Sequence, residues 1–134
     1  MFRVVVTLLI LTVAVDATRN PQITEITADL RFECRLDNRF MWKYQVVFLE
    51  YDFGRAHDVL HRSKVHRAFS SNPRNRFVFN ASGGDGIFDS SYEIYAHVVH
   101  NCTPSGKKIV AKFFLGDVGT FRTSEYLRKT LTLY

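Results

Sequence analysis

The chain predicts an all-β fold, a β-sandwich of seven to eight short strands held by one disulfide. Three observations lead there. Apolar and polar residues alternate through most of the chain, as they do when side chains fall by turns on the two faces of a strand. Residues suited to a half-buried pleated surface are abundant, with 12 Phe and 6 Tyr. The i, i+3, i+4, i+7 repeat of an amphipathic helix is missing from every window. Short strands at this density, divided by turn residues, pack as two sheets face to face.

The strand over residues 23–36 is the clearest. Ala28, Leu30, Phe32, Cys34 and Leu36 are apolar, and Asp29, Arg31, Glu33 and Arg35 stand between them. Residues 44–51 form a second strand with apolar groups on both faces, Val46 and Phe48 on one, Val47, Leu49 and Tyr51 on the other. That pattern marks a central strand whose outer side is covered by a partner subunit, a ligand or the segment 122–127. Strands follow at 59–67 and 76–80, then at 92–101, where Ile94, Ala96 and Val98 lead in phase to Cys102. Residues 108–115 and 129–134 complete the set. Turn chemistry separates them: Asp37-Asn38, Asp52-Phe53-Gly54, Ser70-Ser71-Asn72-Pro73, Gly83-Gly84-Asp85-Gly86, Thr103-Pro104-Ser105-Gly106 and Gly116-Asp117.

Cys34 and Cys102 each fall on the core-facing side of a strand, so the two read as one disulfide across the core. Such a bond needs an oxidising compartment. The N-terminus agrees: a basic start, Met1-Phe2-Arg3, precedes an apolar run over 4–14 and the small-residue site Val15-Asp16-Ala17. The run is far shorter than the roughly 20 residues that span a bilayer. Residues 1–17 therefore read as a signal peptide and 18–134 as a single secreted, extracellular domain without a membrane span. Asn80-Ala81-Ser82 and Asn101-Cys102-Thr103 are glycosylation sequons, so Asn80 and Asn101 are expected to carry glycan.

Three of these patterns resemble the nematode transthyretin-like proteins, a secreted family built on the transthyretin sandwich. They are Leu30-Arg31-Phe32-Glu33-Cys34, then Val47-Phe48-Leu49-Glu50-Tyr51-Asp52, then Val98-Val99-His100-Asn101-Cys102. The resemblance runs over residues 23–134, although the second cysteine pair common in that family is missing. It implies a transthyretin-like or immunoglobulin-like β-sandwich and an extracellular carrier, bridging or signalling role. The same sandwich occurs in 5-hydroxyisourate hydrolases, which carry a histidine on the first strand and end in Tyr-Arg-Gly-Ser. This first strand has no histidine and the chain ends Leu131-Thr132-Leu133-Tyr134.

No catalytic or cofactor constellation emerges. His97 and His100 are three apart on a strand and face opposite ways, so one ion cannot take both. His100 is in phase with the core and is expected to satisfy a hydrogen bond there. His57, His61 and His66 read as solvated groups on a polar strand and loop. The Gly83–Gly86 run lacks the Lys-Ser/Thr and the following helix of a phosphate loop. With both cysteines committed and no serine in a nucleophile elbow, covalent catalysis finds no support. The protein is expected not to be an enzyme.

Charge supplies the functional candidate. The chain carries 18 Lys and Arg against 13 Asp and Glu. The whole excess of five lies between residues 55 and 76, where Arg55, Arg62, Lys64, Arg67, Arg74 and Arg76 face one acid, Asp58. On a strand, Arg62, Lys64 and His66 would share one face, flanked by the other arginines. This segment fits an anionic lipid headgroup, a glycan or an acidic extracellular protein, and the binding would be salt-sensitive. Nucleic acid is not expected of a secreted chain without a reading element. The alternative is a carrier whose outer sheet face, with Val46 or Val47 and Phe48 or Leu49, holds a small apolar ligand at an oligomer interface.

Overall fold

A computed structural model of the chain describes residues 23–37, 41–51, 57–82 and 91–134. The expected signal peptide, Arg55 and the Gly83–Gly86 turn lie outside the described residues. Eight strands form: β1 (Thr24–Glu33), β2 (Trp42–Glu50), β3 (Asp58–Arg62), β4 (His66–Ala68), β5 (Arg74–Ala81), β6 (Ser91–His100), β7 (Ile109–Gly119) and β8 (Ser124–Thr132). No helix occurs among the described residues, and so none is long and apolar enough to cross a membrane.

The strands make two sheets. One has three strands in the order β5-β1-β8; the other runs β3-β2-β6-β7, with β4 also paired to β2. All pairings are antiparallel except β1 with β8, which is parallel. The inner faces meet over one core. Ile26, Ala28, Leu30 and Phe32 of β1 face Trp42, Tyr44, Val46 and Phe48 of β2, with Ile94, Ala96 and Val98 of β6. Phe48 stacks on Phe79 at 4.4 Å and tilts against Phe77 at 5.2 Å, which joins the sheets through aromatic contact.

Cys34 and Cys102 are disulfide-bonded, with Cα atoms 5.9 Å apart, each just beyond the end of its strand. The bond ties β1 of one sheet to β6 of the other. Both cysteines are buried, as their phase requires.

The stretch expected as one strand over 59–67 is two strands, because the chain breaks step at Ser63. Ser63 exchanges backbone and side-chain bonds with Val46: its amide donates to the Val46 carbonyl at 2.9 Å, and its hydroxyl accepts from the Val46 amide at 2.9 Å. The hydroxyl also donates to the Lys64 carbonyl. After this break His66 faces the core, where it stacks on Tyr44 at 5.1 Å and meets Phe77 edge-on. His61 stacks over Phe48 and Phe79. The reading of these two histidines as solvated is therefore corrected. His57, although exposed, stacks on Tyr51.

Two further expectations change. Residues 122–127 do not cover the outer side of β2, because they lead into β8 in the opposite sheet. Val47 and Leu49 are buried instead by their cross-strand neighbours, Arg62 and His97 beside Val47, Val59 and Tyr95 beside Leu49. His97 and His100 do point to opposite faces. His100, however, is buried without a hydrogen-bond partner on either ring nitrogen among the described residues, so the expected hydrogen bond is not made.

Candidate functional site

The alternation of β1 turns Thr27, Asp29 and Arg31 away from the core. Because β1 is the middle strand, this outward row receives neighbours from both sides. Register places Arg76 and Arg128 on either side of Asp29, Arg74 and Thr130 beside Arg31, and Val78 and Tyr126 beside Thr27. Three arginines, Arg74, Arg76 and Arg128, thus collect around one carboxylate on the outer face of the three-stranded sheet, with Arg31 on the same face.

Arg74 grips that carboxylate with a fork: Nε donates to Oδ1 of Asp29 at 2.8 Å and Nη2 to Oδ2 at 2.7 Å. The Tyr126 hydroxyl donates to Oδ2 as well. Nε of Arg128 stands 3.5 Å and Nη2 of Arg76 4.0 Å from the same oxygen. The guanidinium groups of Arg76 and Arg128 also lie over the Tyr126 ring, 5.8 and 5.6 Å from its centre. Asp29 is 3% exposed, whereas Arg74, Arg76 and Arg128 are 58, 64 and 66% exposed. The acid is covered by its own partners, and they remain open to solvent.

Electrostatics follow the contacts. The hydrogen bond from Arg74, then that from Tyr126, hold the Asp29 carboxyl far below the usual carboxylate range, against the opposing effect of its desolvation. Arg74 is pushed up chiefly by its bond to Asp29, and Arg128 chiefly by its bond to Tyr126. Each guanidinium has five N–H donors, and one carboxylate cannot occupy those of several arginines. The surplus donors open onto two clefts that share Asp29 and Arg74. One, of about 220 Å³, is lined further by Arg31, Arg128, Lys129 and Thr130; the other, of about 330 Å³, by Asn75 and Arg76. A larger cleft of about 540 Å³ at the disulfide end mixes Glu33 and Asp37 with Arg35. Arg35 there is already paired with Glu33 at 3.0 Å, so positive charge does not converge in it.

The segment 55–76 does not act as one patch. Arg74 and Arg76 belong to the arginine face. Arg62 and Arg67 lie on the outer side of the five-stranded sheet, beside Val47 and Lys43. Lys64 is exposed in the break between β3 and β4. His66, turned inward, interacts with the Asn75 side-chain amide at 3.2 Å, and burial, more than nearby Lys64, lowers its pKa. Arg62, Lys64 and His66 therefore do not share a face. Sequence reasoning missed Asp29, Arg31, Tyr126 and Arg128, whose signal was their place on the polar side of β1 and β8. Of the sequon residues, Asn80 is exposed on β5; Asn101 is half-buried and its Oδ1 accepts from the Lys43 amide at 2.7 Å.

The outer face of the five-stranded sheet has a different character. Tyr51 stacks on His57 at 3.6 Å and on Tyr95 at 3.8 Å, and Tyr95 packs against Phe114 at 5.1 Å. The Tyr51 hydroxyl and His97 Nε2 are hydrogen-bonded at 2.9 Å.

No curated protein and no solved structure matches the chain. A family model does match, over residues 29–124, which takes in Asp29, Arg31, Arg74 and Arg76 of the arginine face. The chain belongs to that family, described as Caenorhabditis elegans protein of unknown function (DUF870).

Proposed function

We propose that this chain is a secreted, non-enzymatic extracellular binding protein of the transthyretin-like type, which recognises an anionic partner through the outer face of its three-stranded sheet. One observation carries this reading: Arg74, Arg76 and Arg128 converge on a single buried acid, with Arg31 on the same face, while their remaining donors stay open to solvent. The eight-stranded sandwich and the disulfide closing β1 and β6 support the transthyretin-like assignment. An isolated surface charge does little, but several aligned cations raise both the local concentration of an anion and its rate of encounter.

The test is retention of the mature chain on a polyanionic matrix as salt is raised. Reversing Arg76 and Arg128 together to Glu is expected to abolish retention at physiological salt, whereas reversing Arg62 and Lys64 leaves it nearly unchanged. Equal losses from the two double variants would assign retention to net charge and not to the arginine face. A second reading, an apolar ligand on the five-stranded sheet, is favoured by the half-exposed stack of Tyr51, Tyr95 and Phe114. Sedimentation at micromolar concentration tests it, because a ligand site at a subunit interface requires an oligomer.

A further inference from the structure

Resting on the anion-binding reading, we infer that the arginine face is a preorganised site for a sulfated glycan, and that Asp29 is its positioning residue. A simple charge patch would be weakened by an acid at its centre. Here the acid does something else: it fixes the Arg74 fork in one plane and draws Arg76 and Arg128 from the neighbouring strands toward the same point. Tyr126 donates to the Oδ2 that the arginines share and lies beneath two of the guanidiniums. Long side chains that would otherwise lose rotamer entropy on binding are thus held in place beforehand.

The geometry of the open donors selects the anion. A carboxylate presents two coplanar oxygens and is satisfied by one fork, as Asp29 is by Arg74. The free donors come instead from arginines on three adjacent strands, which are spaced about 4.8 Å apart. They surround two clefts, with Arg74 common to both. A sulfate ester offers three terminal oxygens in a tetrahedral array and can accept from two guanidiniums in different planes. Two clefts side by side suit two such esters on one short stretch of sugar chain. An acidic peptide would place flat carboxylates where tetrahedral acceptors fit better.

The experiment measures binding of a defined heparin octasaccharide to the wild type, Asp29→Asn and Arg74→Lys, with desulfated heparin, poly-glutamate and phosphatidylserine vesicles as competitors. Asp29→Asn removes a negative charge, so a patch acting by charge alone binds more tightly after it. A positioned site binds about tenfold more weakly, the loss expected when charged hydrogen bonds are misaligned. Arg74→Lys keeps the charge, sits on an exposed side chain and is expected to weaken binding to a similar degree. It decides the matter if Asp29→Asn does not fold, as judged by thermal unfolding. Tighter or unchanged binding by the folded variants overturns the positioning role. Equal competition by desulfated heparin, or stronger competition by poly-glutamate or vesicles, overturns the sulfated glycan. If the wild type binds none of these polyanions, the anion-binding reading itself fails, which is a distinct result.

Discussion

The two outer faces of this sandwich use the same strand alternation to different ends. On the three-stranded sheet the outward row holds ionic groups, and its apolar members are left in solvent; Val78 is 52% exposed. On the five-stranded sheet the outward row mixes Lys43, Arg62 and Arg67 with an aromatic cluster, and Leu49, also outward, is only 7% exposed. Position within the sheet contributes, because Val78 lies on the edge strand β5 whereas β2 is flanked on both sides. The neighbours add to it. Val59 and Tyr95 lean over Leu49, while arginines extend from the opposite sheet into water. An outward apolar residue is therefore a stability element where such neighbours cover it, as at Leu49, and a bystander where they do not, as at Val78.

That contrast can be broken in graded steps. The largest effect should come from cutting the link common to both faces. The Cys34–Cys102 bond closes a loop with a sequence separation of 68. Replacing both cysteines by serine is expected to cost about 4 kcal/mol, read by urea unfolding, if loop closure governs the bond. Next comes the paired test of the faces: Leu49→Ala should lose about 2 to 3 kcal/mol, and Val78→Ala less than about 0.5 kcal/mol. Similar losses at both positions would erase the distinction. A smaller effect, about 1 kcal/mol, is expected for Tyr51→Phe, which removes the bond to His97 and keeps the aromatic stack.

The last step is pH. His66, His97 and His100 all have pKa values lowered in the folded state, foremost by burial. Unfolding therefore takes up protons, and stability present above the ordinary histidine range is lost as pH falls through about 6.5 toward the folded values. Asp29 is also lowered, but its contribution persists until pH drops below the ordinary carboxylate range near 3.8. Melting temperature should thus decline from pH 7 to pH 5 without the arginine face taking part. His66→Gln should flatten that decline. An unchanged slope in that variant would assign it to the other two histidines.

Much of the fold was legible because β1 and β6 alternate without a fault, which placed both cysteines inward and parted His97 from His100. The break at Ser63 was not legible. It depends on Val46, 17 residues earlier, offering both backbone groups to one serine. The candidate site was legible only in part. Contiguous charge suggested a patch over residues 55–76, but a strand sends alternate residues to opposite faces and successive strands change sheets. The cluster is instead assembled across β5-β1-β8, where a slip of one residue would turn Asp29 into the core. Arg128 and Tyr126 join it from about a hundred positions away, a distance that local pattern does not bridge.

The parallel pairing of β1 with β8 has a consequence for assembly. Every strand of the five-stranded sheet, and both cysteines, precede Ser124 in the chain. A chain emerging from its N-terminus can close the disulfide and set the aromatic face while β1 still lacks its last neighbour. Long-range pairings of this kind bring slow folding, since distant segments must meet before they are rewarded. Arg128 and Tyr126 arrive only with β8, so the proposed anion site is completed at the final docking step. Its binding activity would then report that β8 has docked, and a chain cut before Ser124 would be stapled yet silent.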